Sequence, residues 1–168
     1  MTNDTGMDEL IAKYSRKGVM LDSSVLILLV VGCYNPERIE SFKRTNAFEK
    51  QDFVLLTRLL SKFERLVTTP HILTEVSNLC GNFHQQEKHP VFSQLVEVIS
   101  RSSEESLASK DICNSPPFTR FGLTDSGIAV CAKDRFLVIT ADLPLFVLLG
   151  SLEVDAINFN HLRPLGWQ

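Results

Sequence analysis

Four acidic residues lie where an apolar stretch of the sequence ends or where a helix is expected to begin. They are Asp22, Glu75, Asp125 and Asp142. Single acids in such places are ordinary, because a carboxylate is favoured in the first turn of a helix and in turns after strands. Their flanks are apolar, however, and clustered buried carboxylates repel one another unless a cation neutralises them. The four acids together therefore predict a divalent cation site.

Such a site would suit hydrolysis of a phosphodiester. Magnesium held by a few carboxylates keeps water molecules and open positions that a substrate phosphate can occupy. The ion lowers the pKa of a bound water and stabilises charge in the transition state, and two ions about 4 Å apart could share these tasks. No nucleophilic side chain is then required, so the expected cofactor is Mg²⁺ or Mn²⁺.

The elements that must position these acids are strands and helices in alternation. Strands are predicted at residues 18–22, 66–69, 135–140 and 154–159, and helices at 25–31, from 70, at 90–100, 124–133 and 142–149. Ser23, Ser24 and Thr124 are the expected N-cap residues. Residues 36–66 carry apolar side chains at helical spacing and predict a helical hairpin or pair, whereas 102–117 predicts a strand and loop.

This alternation predicts an α/β fold, with a mostly parallel central sheet between helices on both faces. Ligands of such sheets bind at the carboxyl ends of the strands. Asp22 and Asp142 follow two predicted strands directly, and the helices that carry Glu75 and Asp125 begin at the same edge. All four acids are thus expected at one edge of the sheet.

The length of 168 residues suits one domain, placed at 18–168 after a polar, frayed or short helical extension at 1–17. The net charge of −3 counts mildly against nucleic-acid binding, although bound cations would offset it. Four widely spaced cysteines lack zinc spacing and are expected to be reduced core residues. The apolar run at 25–31 is too short to span a bilayer, so no membrane association and a cytoplasmic location are expected.

The local contexts of the acids resemble the motifs of PIN domains. Residues 19–27 read VMLDSSVLI and residues 69–76 read TPHILTEV, which resemble the first two motifs of that family. Residues 122–132 (GLTDSGIAVCA) and 137–145 (LVITADLPL) resemble the closing half of toxin ribonucleases of the VapC type. The resemblance covers residues 19–164, and the chain is longer than a typical toxin of this class.

The resemblance implies a three-layer α/β/α sandwich and a Mg²⁺- or Mn²⁺-dependent endoribonuclease with the four acids as its catalytic and metal-binding residues. It also implies supporting roles for Thr140 and Ser24. The implied partners are an RNA (tRNA, rRNA or mRNA), an antitoxin that blocks the site, and a second copy in a homodimer. Arg120, near the third motif, is a candidate contact for RNA phosphate.

Several alternatives are weighed against this interpretation. A haloacid-dehalogenase phosphatase needs an Asp two positions after the first acid, where this chain has Ser24. A structure-specific DNA nuclease would be expected to carry a helix-turn-helix or a basic clamp, which the sequence lacks. The histidines have no metal spacing, and Tyr14, Tyr34 and Trp167 are too scattered for base stacking and are expected to pack. A catalytically silent PIN-like module that binds RNA or protein stays open.

Overall fold

A single sheet of parallel strands forms the centre of the protein. A computed structural model describes residues 4–166, so Trp167, expected to be a packing residue, lies outside the described part of the chain. The strands are β1 (Val19–Leu21), β2 (Leu66–Thr68), β3 (Ser102–Glu104), β4 (Leu137–Thr140) and β5 (Ala156–Asn158). Every neighbouring pair is parallel, and the order across the sheet is β3-β2-β1-β4-β5.

The order of the strands creates a crevice beside β1. From β1 the chain adds β2 and β3 on one side, and it then crosses over to add β4 and β5 on the other side. The direction reverses between β1 and β4, where Val19 pairs with Leu137 and Leu21 with Ile139. In open parallel sheets, ligands bind outside the carboxyl ends of the strands at such a reversal. The topology therefore selects the ends of β1 and β4 as the place for a site.

Helices cover both faces of the sheet. They are α1 (Asp4–Tyr14), α2 (Ser23–Tyr34), α3 (Lys50–Leu60), α4 (Pro70–Cys80), α5 (Gln85–Ser100), α6 (Ser109–Cys113), α7 (Phe118–Ala132), α8 (Leu143–Ser151) and α9 (Phe159–Gly166). Helix α2 contacts α3, α4 and α5, and α7 contacts α6 and α8. The predicted three-layer α/β/α sandwich with a parallel sheet is confirmed.

The helix α2 runs through the core directly after β1. Its residues 25–32 are all buried, as expected for a helix that is apolar on every side. Asp22 is its N-cap and accepts a hydrogen bond from the Val25 N–H at 2.9 Å. Near its other end, Gly32 lets α3 approach, because a Cβ at this position would lie 2.1 Å from the ring of Phe53.

The predicted pair of helices at residues 36–66 is wrong in its first half. Only a 3-10 turn (Pro36–Arg38) and further turns lie between α2 and α3. The Asn35 side chain caps the 3-10 turn, and the buried Thr45 hydroxyl donates to the Ile39 carbonyl at 2.7 Å. Such local bonds from short polar side chains compete with helical bonding. The apolar spacing here belongs to turns that fold over the core.

Other boundaries also differ from the sequence prediction. The helix α5 starts at Gln85 rather than at Pro90, which lies inside it. A proline is unfavourable within a helix, which is why the pattern placed the start there. The loop predicted after the third strand contains the short helix α6, which the sequence pattern did not indicate.

The N-terminal helix packs on the same core as the sheet. Ile11 and Tyr14 of α1 are buried. The Tyr14 hydroxyl and the Lys13 ammonium both donate to the Asp155 carboxylate, each at 2.7 Å. Asp155 immediately precedes β5, so these bonds connect α1 to the start of an edge strand of the sheet.

The cysteines divide between the core and the surface. Cys80 and Cys131 are buried and reduced as predicted, but the prediction of a core position is wrong for Cys33 and Cys113, which are exposed. Both exposed thiols lie in the last turn of a helix, where α2 and α6 leave the core. None of the helices within residues 4–166 has the length and apolar character needed to cross a bilayer.

Candidate active site

The ends of β1 and β4 are joined through the side chains of Asp22 and Thr140. Asp22 is 4% exposed and accepts a hydrogen bond from the Thr140 hydroxyl, as well as one from Ser24 Oγ at 2.8 Å. Burial raises the pKa of the Asp22 carboxyl above its usual value, and the charge of Asp142 adds to this increase. The hydrogen bonds from Thr140, the Val25 amide and Ser24 offset only part of it. Asp22 is thus a buried carboxylate held in one orientation by donors from two elements.

Glu75 reaches the same edge from the second turn of α4. The helix begins after the N-cap Thr69, whose hydroxyl accepts from the Ile72 N–H at 3.3 Å, with Pro70 in its first turn. The exposed Glu75 carboxylate accepts hydrogen bonds from Ser23 Oγ and from Thr124 Oγ1, each at 2.5 Å. The side chains of α2, α4 and α7 therefore meet at Glu75.

Asp125 lies on α7, just after a break in that helix. Gly122 has φ 75° and ψ −171°, a conformation that is essentially restricted to glycine, and it separates residues 118–121 from the segment that carries Asp125. Burial raises the pKa of the Asp125 carboxyl to about 7, and the charges of Asp142, Asp22 and Glu75 contribute to the increase. Asp125 is therefore the point where the charges of the other three acids converge.

Asp142 caps the helix that follows β4. Its carboxylate accepts from the Leu145 N–H at 2.9 Å, and its own N–H donates to Thr140 Oγ1 at 2.9 Å. Unlike Asp22, Asp142 is exposed. The edge thus presents one buried acid, one half-buried acid, Asp125, and two acids open to solvent.

The charges of the other three predicted acids all act on Asp125, and the charge of Asp142 also acts on Asp22. Among residues 4–166, however, no three acidic, histidine or cysteine side chains converge into a preformed metal-binding group. Three of the carboxylates instead accept hydrogen bonds from hydroxyl or amide donors of the protein. The arrangement is a set of separately held carboxylates at one sheet edge.

The two supporting residues and the predicted RNA contact differ in their placement. Thr140 and Ser24 both donate to Asp22, as described above. Arg120 is exposed, and its guanidinium carbon lies 5.2 Å from the centre of the Phe121 ring. Gly122 separates it from Asp125 along α7, and within the described part of the chain it makes no hydrogen bond to the four acids.

Sequence reasoning missed the hydroxyl groups that hold Glu75. Ser24, like Ser23 and Thr124, is expected to be an N-cap residue, but Asp22 caps α2, and neither Ser23 Oγ nor Thr124 Oγ1 caps a helix. Both hydroxyls donate to Glu75 because α2 and α7 converge on α4 at this point. Their only signal in the sequence is that each lies next to a predicted acid, and this signal does not reveal the partner.

Comparisons with known proteins do not identify the chain. No protein-family model matches it, and no curated protein is significantly similar to it. Membership of the PIN-domain family therefore stays a prediction from the four motif contexts.

Proposed function

We propose that this protein is a metal-dependent endoribonuclease that hydrolyses RNA phosphodiesters. The observation that carries the proposal is the placement of the four acids at one edge of the sheet, where burial and the charges of the other three acids raise the pKa of Asp125 to about 7. Four carboxylates at this edge of a parallel sheet repel one another, and this repulsion costs free energy in the folded state. Strongly perturbed acids in such a position are typical of functional sites.

The donor set fits Mg²⁺ or Mn²⁺. All four side chains offer carboxylate oxygens, the ligands that these hard cations prefer, and no soft sulfur ligand lies among them. The residues that would hold the metal are Asp22, Glu75, Asp125 and Asp142. A bound ion would supply an activated water and would stabilise charge on the phosphate.

The protein's own side chains would fix the carboxylates for this task. Thr140 and Ser24 orient Asp22, while Ser23 and Thr124 orient Glu75. Because Glu75 and Asp142 are exposed and Asp22 is buried, a phosphate would approach from the side of the exposed acids. We expect in-line attack by water to leave 5′-phosphate and 3′-hydroxyl ends.

RNA as the substrate, and the biological role, are supported by the resemblance to VapC-type toxins. On that basis we extend the proposal to the toxin of a toxin–antitoxin pair that acts on tRNA, rRNA or mRNA in the cytoplasm. An antitoxin and a second copy of the chain would be its protein partners.

One observation favours a second candidate, a catalytically silent PIN-like module that binds RNA or protein. Within the described residues the carboxylates do not converge as a metal-binding group, and most of them are satisfied by protein donors. A binding module would need no more than this. The two candidates differ in whether the acids are required for chemistry.

A cleavage assay separates these candidates. Purified protein is incubated with labelled tRNA and mixed RNA in Mn²⁺, in Mg²⁺ and in EDTA, beside the variants Asp22→Asn and Asp111→Asn. Asp111 is an exposed acid on α6 outside the candidate site, so its variant is the matched control. We expect wild type and Asp111→Asn to cut only with metal, and Asp22→Asn to be inactive.

The stability of the Asp22→Asn variant completes the test. Its melting temperature should equal or exceed that of wild type, because asparagine is also a good N-cap and the substitution removes a buried charge. Products ending in 2′,3′-cyclic phosphate would contradict the proposed chemistry. Intact RNA in every lane would shift the assignment to the binding module.

A further inference from the structure

A cleft lined by several cationic side chains lies just after the C-terminal end of α4. Its volume is about 360 Å³, and Arg38 and residues 41–44 and 82–84 line it. We call it the cationic cleft and define it by Arg38, Lys43, Arg44, Asn82 and His84. None of these residues belongs to the candidate active site.

The cleft holds positive charge that the protein does not neutralise. Arg38 is paired with Glu87, with its Nε 2.7 Å from Oε1 and its Nη2 3.0 Å from Oε2. Lys43 and Arg44 are exposed, and within the described part of the chain neither forms an ion pair. Two unpaired cations side by side are notable in a chain whose net charge is −3.

The start of α5 adds to the positive potential. His84 is the N-cap of this 16-residue helix, and its side chain makes no capping hydrogen bond. The first N–H groups of a helix and its dipole attract anions. The cleft therefore combines two exposed cations with a helix N-terminus, and both favour phosphate.

The floor of the cleft is apolar but closed. The rings of Phe42 and Phe83 stack with centres 3.9 Å apart and an interplanar angle of 19°. Both residues are buried, at 6% and 4% exposure, so neither offers an open ring face on which a base could stack. The groups that remain available are cations and polar side chains, which suit a nucleic-acid backbone rather than a base.

We propose that the cationic cleft binds the phosphodiester backbone of the RNA strand away from the scissile bond. This inference rests on the proposed function, because it assigns the cleft to the same substrate. Glu75 lies on α4, and the cleft residues 82–84 follow the end of that helix, which rises about 9 Å between Glu75 and its C-cap Gly81. That rise corresponds to about three nucleotides of a stacked strand. Lys43 and Arg44 would bind phosphate groups of the RNA strand a few nucleotides away from the bond that is cut at the acids.

The test measures RNA binding and cleavage separately. Anisotropy of a labelled single strand of about 16 nucleotides is titrated in EDTA over a series of salt concentrations. The test variant is Lys43→Gln/Arg44→Gln, and the control is Arg16→Gln/Lys62→Gln, which removes the same charge from exposed positions near α1. Each phosphate contact to a single strand contributes about 0.7 to the slope of log Kd against log salt. The test variant should lose about 1.4 of that slope and bind more weakly, and the control should match wild type.

Cleavage in Mn²⁺ then compares the long strand with a tetranucleotide that is too short to span both sites. The test variant should cut the long strand more slowly and the tetranucleotide at the rate of wild type. If all proteins cut equally and bind with equal slopes, the cleft proposal is overturned while the nuclease stands. If none cuts but the slopes differ as expected, the cleft proposal stands and the nuclease fails.

Two further outcomes would overturn the cleft proposal. One is an absence of RNA binding by wild type at low salt. The other is displacement of the RNA by excess AMP as complete as by unlabelled strand, which would make the cleft a mononucleotide pocket.

Discussion

At the scale of single residues, Thr140 links the first and the last acid of the site. Its hydroxyl donates to the Asp22 carboxylate and accepts from the Asp142 N–H, and the side chain is fully buried. Because a carboxylate can only accept, the hydroxyl hydrogen has one direction available. The orientation of Asp22 and the start of α8 therefore depend on the same oxygen atom.

Replacing Thr140 by valine should separate this role from mere packing. Thr140→Val keeps the shape and removes the hydroxyl, whereas Thr140→Ser keeps the hydroxyl. Residues that orient metal ligands usually contribute about 10- to 100-fold to activity. We expect kcat on RNA to fall by that factor in Thr140→Val and to stay near wild type in Thr140→Ser. Equal activity of both variants at matched melting temperatures would show that the hydroxyl has no positioning role.

The raised pKa of Asp125 predicts how stability changes with pH in the absence of metal. An unfolded aspartate has a pKa of about 3.9, and the folded value is about 7, so the folded state binds more protons between these values. The contribution of Asp125 to stability is fully present below about pH 4 and is lost as the pH rises towards 7. In EDTA, the melting temperature of wild type should therefore fall relative to that of Asp125→Asn across this range. Parallel curves for the two proteins would contradict the effect of burial and neighbouring charges on the pKa of Asp125.

At the scale of elements, the contact between α2 and α3 depends on one missing side chain. A Cβ on Gly32 would lie within 2.5 Å of three ring carbons of Phe53, so either the ring or α3 would have to move. Gly150 in α8 offers the opposite case, because a Cβ there would meet no atom within 4 Å. The same substitution should thus have opposite effects at the two positions.

Urea denaturation of two alanine variants measures this difference. Overpacking of a core typically costs about 1 to 3 kcal/mol, which is the expected loss of unfolding free energy in Gly32→Ala. Alanine is favoured over glycine in a helix by up to about 1 kcal/mol, so Gly150→Ala should be neutral or more stable. A Gly32→Ala variant as stable as Gly150→Ala would mean that α3 does not pack against α2 as described.

The sequence allowed the edge of the sheet to be predicted, but not the contacts made across it. Asp22 and Asp142 follow apolar runs, and parallel strands bring such ends together whatever the helices do. The partners of Glu75 depend on how α2, α4 and α7 cross, which is a matter of packing and leaves no periodic pattern. The same limit explains the error at residues 36–66, where turns place apolar side chains at intervals that resemble those of a helix.

At the scale of the whole molecule, the protein carries an excess of negative charge, and bound cations would reduce the repulsion among the four acids. The net charge is −3, and the four acids lie at a single edge of the sheet, where the charges of the other three act on Asp125. A ligand that binds only the folded state stabilises it in proportion to the logarithm of its concentration. Binding of metal should therefore be visible as stability even where no RNA is present.

Thermal melting with Mn²⁺ provides that measurement. At a hundredfold excess over its Kd, an ion bound only to the folded state adds about 2.7 kcal/mol, which for a domain of this size is about 5 to 10 °C. We expect such a shift in wild type and in Asp111→Asn, and its loss in Asp142→Asn. A shift that survives in Asp142→Asn would place the ion elsewhere on the protein.

The bond between Asp22 and Thr140 joins residues that are 118 positions apart in the chain. During synthesis, chains fold from the N-terminus, but β1 gains its neighbour β4 only after residues 22–136 have been made. Until then, Asp22 lacks the strand β4, whose Thr140 hydroxyl orients its carboxylate. The hydrogen bond between the Asp22 carboxylate and the Thr140 hydroxyl can therefore form only after both segments have left the ribosome.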